Sequence, residues 1–365
     1  MSGAGLRGFW LALFVVFAVQ TGIVPAPGLD AASAWAQTSG TVPGNSAGNV
    51  SDAEFWRAIR KGVTGSVSIP DKKAGVLVQS DGDELRAFRN GPMSQFGGWI
   101  LLAVLVVLAL FLALRGRIRV EAGMSGETVE RFNPFERFVH WLTASSFVIL
   151  ALSGLNTLYG KYLLPELIGK STFATLTLWG KVAHTSIAWA FMLGIALMFV
   201  SWVKDNIPRA IDLQWLLAAG GLFTKGVHPP SGRFNAGQKF IFWAVVLGGG
   251  SLSLSGLSLL FPFEMQMFAG TFKVLNLFGF ELPTQLTPLQ ETQYALMWHG
   301  FLALVMIAVI VAHIYIGSLG MEGAFDAVGT GQVDVNWARE HHNLWVAELE
   351  QSGQAADTGR PHPAE

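Results

Sequence analysis

Apolar positions in this chain gather into long unbroken runs instead of alternating with polar ones. Five runs, 98–114, 138–158, 178–203, 240–261 and 294–319, reach the roughly 17 to 25 residues that a helix needs to cross a bilayer. A shorter run at 9–19 follows a thin basic start with Arg7 and precedes a small-residue stretch ending Ala34-Trp35-Ala36, a pattern that resembles a cleaved signal peptide over residues 1–36. The pattern predicts an all-α membrane protein. A four-helix transmembrane core with its tail occupies 130–349, an extra transmembrane helix at 96–117 precedes it, and an exported segment at 37–95 precedes that. The exported segment begins Gly/Ser/Thr/Asn-rich and is too short for a large core, so it reads as partly disordered. Residues 350–365 read as a disordered end.

The informative polar positions are those the apolar runs do not exclude. His140, His184, His299 and His313 lie inside or at the ends of four spans. An ionisable side chain at bilayer depth costs several kcal/mol unless something holds it, so it marks a functional site by default. His299 and His313 are fourteen residues apart, roughly 21 Å along a helix axis and within about 40° of one face. One helix can therefore serve two stacked sites. His140 and His184 each open an apolar run, so each is expected near a helix start, and consecutive antiparallel helices start at opposite faces. This pairs His140 with His313 and His184 with His299.

A lone intramembrane His is as readily a helix-to-helix hydrogen-bonding group. Four at complementary depths favour ligation instead. Zinc would need more ligands than these, and the chain has no Cys to supply them. Haem iron takes two axial ligands and the rest from its porphyrin, so four histidines suggest two bis-histidine haems.

Only 13% of residues are charged, which fits a polytopic membrane protein; the net charge of −1 says nothing about partners, and no nucleic-acid partner is expected. Where the charges fall sets the orientation. Arg115, Arg117, Arg119, Arg131 and Arg137 crowd the connection after the first span, and Lys204, Arg209, Lys225, Arg233 and Lys239 the one after the third. The alternate loops carry only Lys161 and Lys170, or Lys273. Positive-inside bias places the two basic loops and the C-terminal tail in the cytoplasm of a bacterial inner-membrane, multi-pass protein, with the N-terminal segment periplasmic. Arg86 and Arg89, just outside the first span, run against this, but sizeable exported segments translocate largely regardless of charge. His140 and His313 then lie toward the cytoplasm, and His184 and His299 toward the outside. His228, His341, His342 and His362 fall in cytoplasmic loops or tail and are expected to be solvated.

Without Cys the chain holds no thiolate-bound iron–sulfur cluster, no covalently attached haem and no Cys ligand to molybdenum or tungsten. It carries no nucleophile elbow, phosphate loop or metal-protease helix. The chain relays electrons, and substrate chemistry falls to other subunits.

Several stretches together resemble the cytochrome b (gamma) subunits of membrane-bound respiratory formate dehydrogenases. They are Arg137-Phe138-Val139-His140-Trp141, Ala151-Leu152-Ser153-Gly154, Asp205-Asn206-Ile207-Pro208, Arg233-Phe234-Asn235-Ala236-Gly237-Gln238-Lys239, the His299 and His313 pair, and Trp337 to His342. The resemblance covers about 130–349, and the exported segment with its extra span is similar to the longer gamma subunits. It implies two haems b, with His140 and His313 as inner axial ligands and His184 and His299 as outer ones. It also implies an iron–sulfur beta subunit and a molybdenum or tungsten alpha subunit on the outer side as partners, with membrane lipid around the chain itself. A quinone would accept the electrons near the inner haem, beside Asn235, Gly237, Gln238 and His313. Asn235 is equally a helix N-cap, and Gly154 either admits a haem or packs helices. The cytochrome b subunit of a hydrogenase or another periplasmic oxidoreductase shares the histidine pattern. A haem-free membrane anchor is the alternative of a different class.

Overall fold

The structure is a computed structural model that describes residues 82–224 and 226–352. The signal-like start, most of the 37–95 segment, His362 and nearly all of the C-terminal end lie outside the described residues. The helices are α1 (Gly82–Phe88), α2 (Ser94–Arg115), α3 (Pro134–Leu155), α4 (Lys161–Ile168), α5 (Lys170–Trp202), α6 (Ala210–Leu217), α7 (Ala236–Trp243), α8 (Gly249–Leu260), α9 (Phe268–Asn276), α10 (Pro288–Tyr315), α11 (Asp326–Gly329), α12 (Val335–His341) and α13 (Asn343–Gln351). Among the described residues, five stretches are long and apolar enough to cross a membrane: Leu85–Arg115, Pro134–Ile168, Lys170–Trp202, Ala236–Leu260 and Pro288–Gly320. An all-α, multi-pass membrane fold is what the apolar runs led us to expect.

Three of the spanning helices begin with one local device. Asn133 with Glu136, Asn235 with Gln238, and Thr287 with Gln290 each form a reciprocal capping box, in which two otherwise unpaired backbone amides find partners. Proline follows directly at Pro134 and Pro288, where its missing N–H is not needed. Helix α5 starts differently, after Gly169 at φ 83°, a conformation that L side chains rarely adopt.

The helices reach further than the apolar runs. Helix α5 begins at Lys170, so His184 sits its fourteenth step in and not near a helix start, as the apolar run had suggested. The mixed stretch 170–177 is helical because it continues α5 and packs beside α4. Likewise the described part of 82–95 is helix joined to α2 through a π-turn at Arg89–Met93, ahead of the expected start of the extra span.

Close crossings bring the core helices together. A Cβ on Gly194 of α5 would stand 2.5 Å from Thr143 Oγ1 and 3.2 Å from its Cα on α3. A Cβ on Gly248, at the end of the π-turn before α8, would stand 2.6 Å from Met306 Sδ on α10. Small residues at such points let backbones approach where lipid offers no hydrophobic drive. Helix α2 lies outside this core, with its large apolar side chains mostly exposed, and is pinned at both ends. Tyr159 Oη donates to Ser94 O (2.9 Å), Lys161 Nζ to Asn90 Oδ1 (2.6 Å), and Arg115 Nε to Leu222 O (3.1 Å).

A compact cap closes one end of the bundle. The strands β1 (Thr128–Glu130) and β2 (Gln332–Asp334) pair antiparallel, with Val129 opposite Val333. Asp334 caps α12 and also accepts from Gly126 N and Ser125 Oγ; burial raises its carboxyl, but these hydrogen bonds win and hold it below its ordinary value. Val333, Trp337, Ala338, Trp345 and Val346 are buried together with Phe132, Phe234 and Trp202.

This cap overturns the expectation of solvated tail histidines. His342 is fully buried: its Nδ1 donates to Gly232 O (2.9 Å) and its Nε2 accepts from Arg131 Nη2 (3.3 Å). Burial pushes its pKa well down, and Arg131 adds to that. His341 is driven down to about 4, also by burial first. Three-residue strands joining positions some two hundred apart leave no periodicity to read, which is why the sequence hid this packing.

Candidate functional site

The four span histidines come from three core helices: His140 from α3, His184 from α5, and His299 and His313 from α10. The fold brings them together in two pairs. The rings of His140 and His313 have centroids 6.5 Å apart, and those of His184 and His299 are 6.2 Å apart. Two imidazoles on opposite sides of one metal ion, each with a bond of about 2.0 Å from a nitrogen lying about 1.1 Å from its ring centre, stand roughly 6.2 Å apart. Both separations suit one metal ion between each pair.

The ring nitrogens fit the same use. Ser153 Oγ lies 2.8 Å from His184 Nδ1, and Ser255 Oγ lies 3.0 Å from His299 Nδ1. Neither Nε2 of this pair makes a hydrogen bond among the described residues, so one nitrogen of each ring is held and the other is left to coordinate. His140 Nδ1 is buried without a partner. Among the described residues, no three His, Asp or Glu side chains cluster as a bare ion would need, so a group that brings its own equatorial ligands fits this donor set. A cleft opens beside the His184 and His299 pair, walled by Phe147, Trp189, Leu257 and Ile307 and almost wholly apolar.

The loop residues are arranged differently. Asn235 Oδ1 accepts from Gln238 N (2.9 Å) and Gln238 Oε1 accepts from Asn235 N (3.0 Å), so both carbonyl oxygens serve the capping box. Their amide NH2 groups donate to no described residue. An aromatic ring does approach the backbone at Gly237, but it is Trp215, whose edge would lie 2.9 Å from a Cβ there. Lys239 is buried and bridges to Asp212 (2.8 Å) and Ile207 O (3.2 Å), while Trp243 Nε1 donates to Asn206 O (2.9 Å). This ties the loop to Asp205-Asn206-Ile207-Pro208. Gly154 faces His184, whose Cε1 would be 3.8 Å from a Cβ, an ordinary contact that demands no glycine.

Nearby, Arg233 pairs with Glu136 (2.7 Å) and Asp205 (2.8 Å), and Trp202 Nε1 donates to Glu136 (2.8 Å). Beside them Arg131 is buried among Phe132, Phe234 and Trp345, its guanidinium 4.6 Å from the Trp345 ring centre. Its pKa is lowered to about 9 by burial and by Arg233, against the pull of Glu136 and Asp205. The serines at 153 and 255 and the buried arginine had no assigned role in the sequence reading. The tetrapeptide Leu-Ser-Gly-Leu occurs twice, at 152–155 and 254–257, and that repeat was the available signal for the serines.

A bundle with two imidazole pairs between its helices defines a membrane cytochrome b. Residues 131–328 match the family model described as prokaryotic cytochrome b561, and the chain belongs to that family, which implies haem b as prosthetic group. Among curated proteins it is similar to the formate dehydrogenase cytochrome b556(fdo) subunit of Escherichia coli, at 28% identity over 61% of this chain and 94% of that one. It is similar also to the nitrate-inducible formate dehydrogenase cytochrome b556(Fdn) subunit of Escherichia coli, at 27% over 60% and 89%, and to the formate dehydrogenase cytochrome b556 subunit of Haemophilus influenzae, at 24% over 58% and 79%. The resemblance read from the residue motifs is borne out.

Proposed function

We propose that this chain is the cytochrome b subunit of a formate dehydrogenase, holding two haems b, one between His184 and His299 and one between His140 and His313. The observation that carries the reading is the two ring separations of 6.5 and 6.2 Å, joined to the similarity to formate dehydrogenase cytochrome b556 subunits. When bound, the haems would carry single electrons between the two faces of the membrane.

The chain's own residues position and insulate. Helix α10 supplies one imidazole to each site, so its rigidity fixes the spacing between them, roughly 21 Å along the axis. The wall around His184 and His299 is almost wholly apolar and offers water few partners there. By the distribution of Arg and Lys among the loops, the His140 and His313 end with its cap faces the cytoplasm. The iron–sulfur and molybdenum or tungsten partners would then dock outside, and a quinone would bind at the inner end near Asn235, Gly237, Gln238 and His313. The free amide donors of Asn235 and Gln238 suit a quinone's two carbonyl acceptors.

The test is a reduced-minus-oxidised spectrum and haem count on the complex purified from membranes. Two low-spin b haems per chain, reducible by formate, are expected. A haem-free preparation that still anchors its partner subunits would make the chain a tether, and one haem per chain would remove the pairing.

A further inference from the structure

The Ser-Gly repeat gives the outer pair a feature that the inner pair lacks. Ser153 Oγ is 2.7 and 3.0 Å from the carbonyls of Ile149 and Leu150, and Ser255 Oγ is 3.1 Å from Leu252 O. A hydroxyl has one proton, and here it is directed to its own helix backbone. Its lone pairs then face the histidine across the helix interface. A neutral imidazole that coordinates through Nε2 carries its proton on Nδ1, so in each case the histidine donates and the serine accepts. Trp298 Nε1 donates to Ser251 Oγ (2.8 Å), one turn before Ser255, and fixes α10 against α8 where the second contact is made. By contrast, His140 Nδ1 is buried with no hydrogen-bond partner.

We propose that Ser153 and Ser255 are positioning residues for the outer pair, locking the His184 and His299 rings and making them stronger electron donors to one shared metal centre. This rests on the haem reading above. A hydrogen bond accepted from the distal N–H of a ligating imidazole raises the ligand's basicity and favours the oxidised metal. The outer centre is thereby set to a lower potential than it would have with free ligands, on the side from which electrons would enter.

Redox titration of the purified complex, followed optically, tests this in Ser153→Ala and Ser255→Ala. Both variants are expected to raise the midpoint of the same haem by the equivalent of a three- to tenfold change in its reduction equilibrium, tenfold being about 59 mV for one electron. The second haem should not move. Ser146→Ala is the matched control, because Ser146 Oγ makes the same bonds to its helix (2.6 Å to Leu142 O, 3.0 Å to Thr143 O) and no hydrogen bond to a histidine among the described residues. Ser153→Thr keeps the hydroxyl and should keep the wild-type midpoint.

Loss of one haem from Ser153→Ala but not from Ser146→Ala would also bear the proposal out. Unmoved midpoints, shifts in two different haems, an equal effect in the control, or a Ser153→Thr shift as large as that of Ser153→Ala would each overturn it. Wild-type protein without b-type haem would sink the haem reading first, before any variant is compared.

Discussion

The two histidine pairs are built from the same parts and supported in opposite ways. At the His184 and His299 pair, support comes from within the membrane helices: each ring is held at Nδ1 by a serine on a neighbouring helix, and an apolar cleft lies alongside. At the His140 and His313 pair, support comes from the cap. Trp141 Nε1 donates to Val328 O (2.9 Å), Arg137 donates to Val328 O and Gly329 O, and His140 itself has no partner for Nδ1. The site of His184 and His299 is therefore specified by helix register, whereas that of His140 and His313 depends on a tail that folds back from nearly two hundred residues away.

The largest effect that can break this comparison is removal of a ligand. His184→Ala or His299→Ala is expected to abolish one haem signal, and His140→Ala or His313→Ala the other, since a bis-imidazole site loses its low-spin ligand set with either partner. Difference spectra in which His140→Ala and His184→Ala delete the same haem would refute the pairing.

Next in size is a change that should not distinguish the sites. Gly194 lies in α5 with its Cα face against Thr143, in the crossing that both pairs share. Gly194→Leu overpacks this contact and is expected to destabilise the bundle by about 1–3 kcal/mol or more. Haem content should fall at both sites together; loss confined to one would mean that the halves of the bundle are less coupled than the packing implies.

How much of this was legible follows the same division. The spans, the four histidines and their pairing come from apolar runs and helix geometry, which are local and periodic. Ser255 was missed because a serine in an apolar run reads as a packing residue until the register of the next helix is known. His342 and Arg131 were missed because their burial depends on β1 meeting β2 and on Trp345 closing over the guanidinium, contacts with no local pattern. Asn235 was read both as a cap and as a ligand group, and the capping box accounts for its oxygen while leaving its nitrogen free.

A smaller effect is acid sensitivity confined to the cap. His341 titrates near 4 in the folded cap against about 6.5 when unfolded, and His342 is also depressed. Between those values the unfolded tail binds protons that the folded cap refuses, so stability is complete above about 6.5 and declines as pH falls toward 4. Limited proteolysis of the tail should therefore accelerate across that window, with haem at His184 and His299 undisturbed. His341→Gln should flatten the dependence; an unchanged profile in that variant would place the sensitivity elsewhere.

The smallest effect on stability is the most discriminating for the quinone. Because Asn235 and Gln238 use only their oxygens in the capping box, Asn235→Asp and Gln238→Glu remove the amide donors while keeping the cap acceptors, and Asp is about as good an N-cap as Asn. Asn235→Ala instead removes the cap, at about 1 kcal/mol. If the amides hold a quinone carbonyl, the Asp and Glu variants should keep both haem spectra and formate-driven haem reduction, yet slow reoxidation by added quinone several-fold. If they reoxidise at the wild-type rate while Asn235→Ala loses stability, the loop is a helix cap and nothing more.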